Sequence, residues 1–190
     1  GINVYHRSAL VSRNTHAPGV GVAFVATGAA FPDALAGGAA GAHRAGPLLF
    51  VEPTGIPFDV RVELERLQPQ RIVVLGGPAA VSHEILAQLA QYSPRVDRIA
   101  GVNRYETAAA IAGEFAKVSG SVPAVVIATG ERFPDALAAG AAGHPVLLVP
   151  STGPAPQGVK DALAALNPLG AVVVGGTAAV SQETLVSLGL

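Results

Sequence analysis

The chain has 190 residues, of which 50% are hydrophobic, 13% charged and 5% aromatic, with a formal net charge of −1. So small a charge gives no global field to draw a polyanion, which sets nonspecific nucleic-acid binding aside. Cysteine is absent, removing disulfides and thiolate metal sites, and methionine is absent too, so the chain from Gly1 reads as a trimmed piece without its export signal.

The first element is a helix over residues 3–12 (NVYHRSALVS). It is a degenerate counterpart of NRYETAAAIA at 103–112, with Val4 for Arg104 and Arg7 for Thr107. A short apolar strand then ends in Ala26-Thr27-Gly28. Pro32 and Asp33 open the next helix: the proline lacks a donor that would be orphaned there, and the carboxylate meets the positive dipole end. The small residues at 37–41 let that helix lie close on a sheet. The loop at 41–47 is four residues longer than its counterpart at 143–145 and carries His43 and Arg44. Residues 48–50 read as a buried strand, Gly76-Gly77 ends a third strand, and Ser82 is placed to cap a helix. The segment 91–97, with Ser93-Pro94 inside it, reads as the junction.

The second half repeats the order more cleanly. Asn103 with Glu106 three residues on is a capping box for a helix over 104–117. The β-branched run AVVIATG follows, the pattern of a buried parallel strand ending at Thr129-Gly130. Pro134 and Asp135 open the FPDALAAGAAG helix. A second strand at Val146–Val149, a helix near Gln157–Leu166 and a third strand at Ala171–Val174 come next. Gly175-Gly176 closes that strand, and Ser181 caps a last helix with Glu183 in its first turn. The weakly charged stretch 136–159 is broken by Gly143, Pro145, Gly153, Pro154 and Pro156, so it is read as soluble and not as a membrane span.

ATGAAFPDALAGGAAG at 26–41 and ATGERFPDALAAGAAG at 128–143 differ at three positions, as do GGPAAVSHEIL at 76–86 and GGTAAVSQETL at 175–185. Two such blocks in the same order mean a duplicated module. Strands alternating with helices predict an α/β fold of two tandem Rossmann-like modules, 1–97 and 98–190. Each is a small, mostly parallel sheet flanked by helices.

Ligands of open parallel sheets bind at the carboxyl ends of strands, where helix N-termini converge. Both repeated blocks fall on that rim. Main-chain amides of Gly28, Gly130, Gly76, Gly77, Gly175 and Gly176 collect there with the hydroxyls of Thr27, Thr129, Ser82 and Ser181. The rim suits a carbohydrate or a phosphate; the same residue types equally make tight turns and helix caps. Asp33 and Asp135 either bind a sugar hydroxyl or metal, or complement a helix dipole. Arg104 with Tyr105 either pairs with an anion and stacks on a ring, or covers its own helix and bridges to Asp135. Arg98 and Arg132 read as solvated surface charges. Catalysis has no signal. The five histidines keep no metal-ligand spacing, and there is no G-x-S-x-G elbow, no Walker lysine and no dinucleotide fingerprint. No cofactor or metal is expected.

The succession GVNRYETAAAIA, VVIATGERFPDALAAG, PVLLV and VVVGGTAAVSQETL closely resembles the bacterial cell-wall-binding type 2 repeat of Gram-positive surface-layer proteins and wall hydrolases. The resemblance covers all of the second module and the first from about Phe24. It implies a toprim-like layer and noncatalytic, extracellular anchoring to anionic wall polysaccharides, teichoic-acid-like glycans, without membrane insertion. The alternative is a self-assembly or partner-binding module of the envelope. The family's aliphatic segment, implicated in polymer attachment, matches 48–50 and 146–148, where spacing points to buried strands. Repeats of this kind commonly come in threes, forming a pseudo-threefold unit. With two here, a second chain or a trimmed repeat would complete the groove.

Overall fold

The computed structural model describes residues 3–116, 121–131 and 143–190. Asn3 starts the first helix by accepting the His6 N–H at 2.8 Å, and α1 spans Val4–Thr15. The first module continues with β1 (Ala23–Thr27), α2 (Phe31–His43), β2 (Leu48–Val51), α3 (Phe58–Leu67), β3 (Ile72–Leu75), α4 (His83–Leu89) and β4 (Val96–Ile99). Asn103 begins the second module in the same way, accepting the Tyr105 and Glu106 N–H groups at 3.0 and 2.9 Å. There α5 (Arg104–Ala116) is followed by β5 (Val125–Thr129), β6 (Val146–Val149), α6 (Gln157–Leu166), β7 (Ala171–Val174) and α7 (Gln182–Leu188). The expected FPDALAAGAAG helix, with Pro134 and Asp135, lies outside the described residues.

Both sheets are parallel throughout, in the orders β2-β1-β3-β4 and β6-β5-β7. Equivalent residues hold equivalent register: Thr27 lies opposite Val51, and Thr129 opposite Val149. The central strands β1 and β5 are buried along their whole length, as a strand with helices on both faces requires. The two modules are therefore small α/β layers built to one plan.

The junction is not a plain linker. Val96–Ile99 forms a fourth strand that pairs with β3 and completes the first sheet before the chain enters α5. This strand has no apolar alternation to announce it, since Asp97 and Arg98 fill its middle. Its pairing comes from the open edge of β3.

Two cores divide the first sheet between them. On one face, Val25, Leu49 and Val74 pack with Leu64 and Ile85 of α3 and α4. On the other, Phe24 and Val73 join Leu35 and Ala39 of α2, and this core continues into Ile111 and Phe115 of α5 and on to the second sheet. Helix α2 is thin enough to serve both sides. Gly37 has no room for a methyl group against Leu75, and a methyl on Gly41 would lie 2.7 Å from the Gly46 carbonyl. At its end His43 stacks on Phe115 with ring centroids 4.4 Å apart, and burial lowers the imidazole pKa, helped by Arg44.

An ionic strap ties the modules beside this core. Arg71, just before β3, donates to Asp97 at 2.6 Å and to Glu114 of α5 at 3.0 Å. The Glu114 side chain is only 1% exposed. Removing one partner of a pair this buried leaves the other charge poorly compensated. Glu114→Ala is expected to lower the unfolding free energy by about 3 kcal/mol. Urea denaturation checks this, and the continuous core predicts that both modules still unfold in one transition.

Candidate functional site

The strand-end rim is built by matched devices in the two modules. Each Ala-Thr-Gly turn is closed by its threonine: Thr27 accepts the Ala29 N–H and Thr129 the Glu131 N–H, both at 3.2 Å. The following glycine is a seat for an aromatic ring. A methyl on Gly28 would stand 2.6 Å from the Tyr5 ring, and one on Gly130 would stand 2.7 Å from the Tyr105 ring. The Asn-x-Tyr and Ala-Thr-Gly motifs, far apart in sequence, are the two halves of one contact. Ser82 and Ser181 cap α4 and α7 by accepting the Ile85 and Thr184 N–H groups at 3.3 and 3.2 Å. Gly76 and Gly175 adopt φ of +94° and +100°, which a side chain would resist.

Much of the rim is thus already engaged. The Gly28, Gly130 and Gly76 amides donate to Val51, Val149 and Ile99 carbonyls, each at 2.9 Å. They extend the ladders and are not open to a ligand. The turn-and-cap reading of these residues is what the geometry realises.

A different set of groups remains addressed to solvent at the module boundary. Asp33, in the first turn of α2, lies against Gly76, whose missing side chain makes the space for it. Burial raises the Asp33 pKa, an effect opposed by the positive charge of Arg104 from the other module. Arg104 is exposed and donates to the Gly130 carbonyl at 2.6 Å. Beside it the Tyr105 hydroxyl donates to the Glu131 carboxylate, and burial together with that negative charge raises the tyrosine pKa. Glu131 also accepts from Ser151 Oγ at 2.7 Å and from the Ser151 N–H at 3.2 Å. These bonds hold its pKa below the usual carboxylate range. The Ser151 carbonyl in turn accepts the Ser181 N–H at 2.9 Å. Hydrogen bonds therefore link Tyr105, Glu131 and Ser151 to the Gly-Gly-Ser end of the second sheet, with Asp33 in the field of Arg104 beside them. Together these groups offer one cation, two carboxylates and an aromatic ring, a set suited to a polyhydroxylated, charged ligand. Among the described residues no cluster of three or more His, Asp or Glu could hold a metal ion, and no helix is long and apolar enough to cross a membrane.

The sequence pattern of the family described as Cell wall binding domain 2 matches residues 1–86 and 98–185. The chain belongs to this family. It is 27% identical over 186 residues to the N-acetylmuramoyl-L-alanine amidase LytC of Bacillus subtilis, covering 96% of this chain and 36% of that protein. It is 33% identical over 106 residues to the Amidase enhancer of the same organism, covering 54% of this chain and 14% of that one. Among solved structures, Cwp6 from Clostridium difficile superposes with a TM-score of 0.86 at 25% identity, over 100% of this chain and 30% of that one. Cwp8 from the same organism superposes at 0.87 with 21% identity, over 99% and 32%, a likeness of fold. The chain thus spans about a third or less of each of these proteins.

Within this pair of cell wall binding domains, Asp33, Gly76, Arg104, Tyr105, Thr129 and Gly130 come together at the module boundary. Thr27 and Gly28 form the equivalent turn under Tyr5, and Gly175, Gly176 and Ser181 follow β7 on the same strand-end edge as Thr129. Gly77 and Gly176 present open space, their carbonyls accepting from the turns that follow. Asp135 and Arg132 lie outside the described residues. Arg98 is not a solvated charge. It donates to the Gly76, Val81 and Ser82 carbonyls at 2.6, 2.7 and 3.3 Å, and burial pushes its pKa down. Glu131 and Ser151 were missed by reasoning from motifs, because such reasoning looks for what the copies share. The signal was a difference: ATGER in one copy where the other has ATGAA.

Two outcomes follow from this packing. Gly130→Ala forces Tyr105 off its seat and is expected to cost about 1–3 kcal/mol, read from the urea midpoint, with Gly28→Ala behaving alike. Asp33 has a folded pKa above its unfolded one, so the folded state holds the proton longer. Stability therefore declines as pH rises from the ordinary carboxylate value through the raised one. Asp33→Asn should raise the melting temperature at neutral pH and lose that advantage below about pH 3.5.

Proposed function

We propose that these modules are a noncatalytic, extracellular anchor that binds anionic secondary polymers of a Gram-positive cell wall, glycans of teichoic-acid-like character. The observation that carries this reading is the boundary cluster, to which one module brings Asp33 and the other Arg104, Tyr105 and Glu131. Arg104 meets a phosphate or carboxylate, Tyr105 a sugar ring, and the two carboxylates accept from sugar hydroxyls. Burial disfavours the Asp33 carboxylate, a cost expected where a group serves binding and not folding. The rim hydroxyls of Thr27, Thr129, Ser82 and Ser181 are spent on turns and caps, which suits a docking ledge better than a nucleophile. The wall itself comes from the family and from the proteins the chain resembles. No cofactor is needed, and modules 1–97 and 98–190 act as one unit because the cluster needs both.

A second reading, assembly with a further module or a second copy, is favoured by two uncovered surfaces. In the first module β3 is buried beside β4, whereas Val172 and Val173 of β7 are 51% and 37% exposed. The face of α5 and β6 that receives α2 has its counterpart on α1 and β2, where Val4 and Val11 are 44% and 61% exposed. Such surfaces are complementary in kind and suit a third module.

The test is cosedimentation with purified walls, before and after chemical removal of the secondary polymers. Retention should vanish on stripped peptidoglycan and weaken with salt, because contacts to exposed anions are screened. Asp33→Asn should lower retention while keeping the fold. Retention on stripped walls overturns the polymer reading, and retention that tracks protein oligomers in sedimentation velocity favours assembly.

A further inference from the structure

The two modules differ most where their first helix meets the helix after the second strand. In the second module α5 and α6 carry Ala110, Gly113, Gly158 and Ala162 there, and Glu106 lies directly against Gly158, which has no room for a side chain. At the corresponding positions the first module carries Leu10, Arg13, Asp59 and Glu63, with Phe58 and Val62 beside them. Between α1 and α3 lies a cleft of about 240 Å³, lined by His6, Leu10, Arg13, Phe58, Asp59 and Val62 with Glu63 at its base.

Asp59 pairs with His6 at 3.2 Å. Glu63, 3% exposed, is fully engaged by Ser12 and by Arg66, which donates to it at 2.7 and 2.8 Å. Arg13 is exposed and forms no salt bridge within bonding distance among the described residues; its charge helps to lower the Glu63 pKa across the cleft, and its guanidinium stays open to a ligand. Phe58 is 69% exposed, with Arg61 over one ring face at 5.9 Å. Leu10 and Val62, 44% and 41% exposed, supply apolar floor.

We propose that the cleft between α1 and α3 is a saccharide site, specific to the first module, for a single sugar residue bearing an acidic substituent. The weakly positive C–H face of a pyranose packs on the Phe58 ring, whose face is electron-rich. Asp59 and His6 take its hydroxyls, and Arg13 takes the carboxylate or phosphate. The size agrees, since the cleft falls below the ~300–1,000 Å³ of drug-sized pockets. The second module has Gly113, Gln157 and Gly158 where Arg13, Phe58 and Asp59 stand, and so lacks the site.

The test is an amide-resolved NMR titration of the chain with a hyaluronan tetrasaccharide, which carries glucuronate, against chitotetraose, which carries no acid. The acidic tetrasaccharide should shift signals of residues 6–13 and 58–63 and bind better than chitotetraose. Phe58→Ala should weaken it about tenfold, and Arg13→Gln should abolish the preference for it, both with unchanged melting temperatures because the side chains are exposed. Silence at these residues, equal binding of both sugars, or shifts that depend on protein concentration as in self-association would overturn the proposal. The wall reading is separable. Retention on walls with a silent cleft removes the cleft alone, and a responsive cleft without wall retention removes the anchor alone.

Discussion

The structure depends on how closely α2 can lie between two layers. A helix with Ala or Gly at 36, 37, 39, 40 and 41 brings its backbone against the first sheet on one side and against α5 on the other. Larger side chains would part the layers, because interiors are packed too densely to absorb an extra methylene. Through this thin helix the hydrophobic core of the first module runs into that of the second. The tandem is one body, strapped at its edge by Arg71 reaching Asp97 and Glu114.

The same helix sets the position of the candidate site. Its first turn carries Asp33, and docking on α5 brings that carboxylate into the field of Arg104 at the start of the other module's first helix. Neither module alone presents both groups in this relation. A duplicated fold thus gains something beyond two copies of one surface. The boundary adds Asp33 of one module to the Arg104, Tyr105 and Glu131 of the other, a pairing of charges that a single repeat would lack.

Duplication also lets the copies diverge where packing does not forbid it. The buried strands and the tyrosine-on-glycine contact are held in common, since each fills space that a change would clash with. The groove between the first helix and the helix that follows the second strand is free to vary. It carries small residues in one module and Leu10, Arg13, Phe58 and Val62 in the other. Differences between repeats therefore deserve the same reading as identities, and Glu131 beside Ser151 makes the same point at the strand ends.

From the residues alone came the duplication, the parallel α/β modules, the helix caps at Asn103, Ser82 and Ser181, and the kinship with wall-binding repeats. These are local matters. Periodicity, capping chemistry and a long shared motif are written in neighbouring residues and need no partner to be read. Only the tertiary structure decided that Tyr5 and Tyr105 rest on Gly28 and Gly130, that Arg98 caps three carbonyls, and that the Gly28, Gly76 and Gly130 amides are already committed. It alone made a strand of Val96–Ile99, whose polar middle hides its pairing with an open sheet edge, and it alone joined Asp33 to Arg104 across 71 positions of chain. The reason is physical: hydrogen-bond partners and charge neighbours are assigned by packing between distant segments, and no spacing along the sequence records which surfaces will meet.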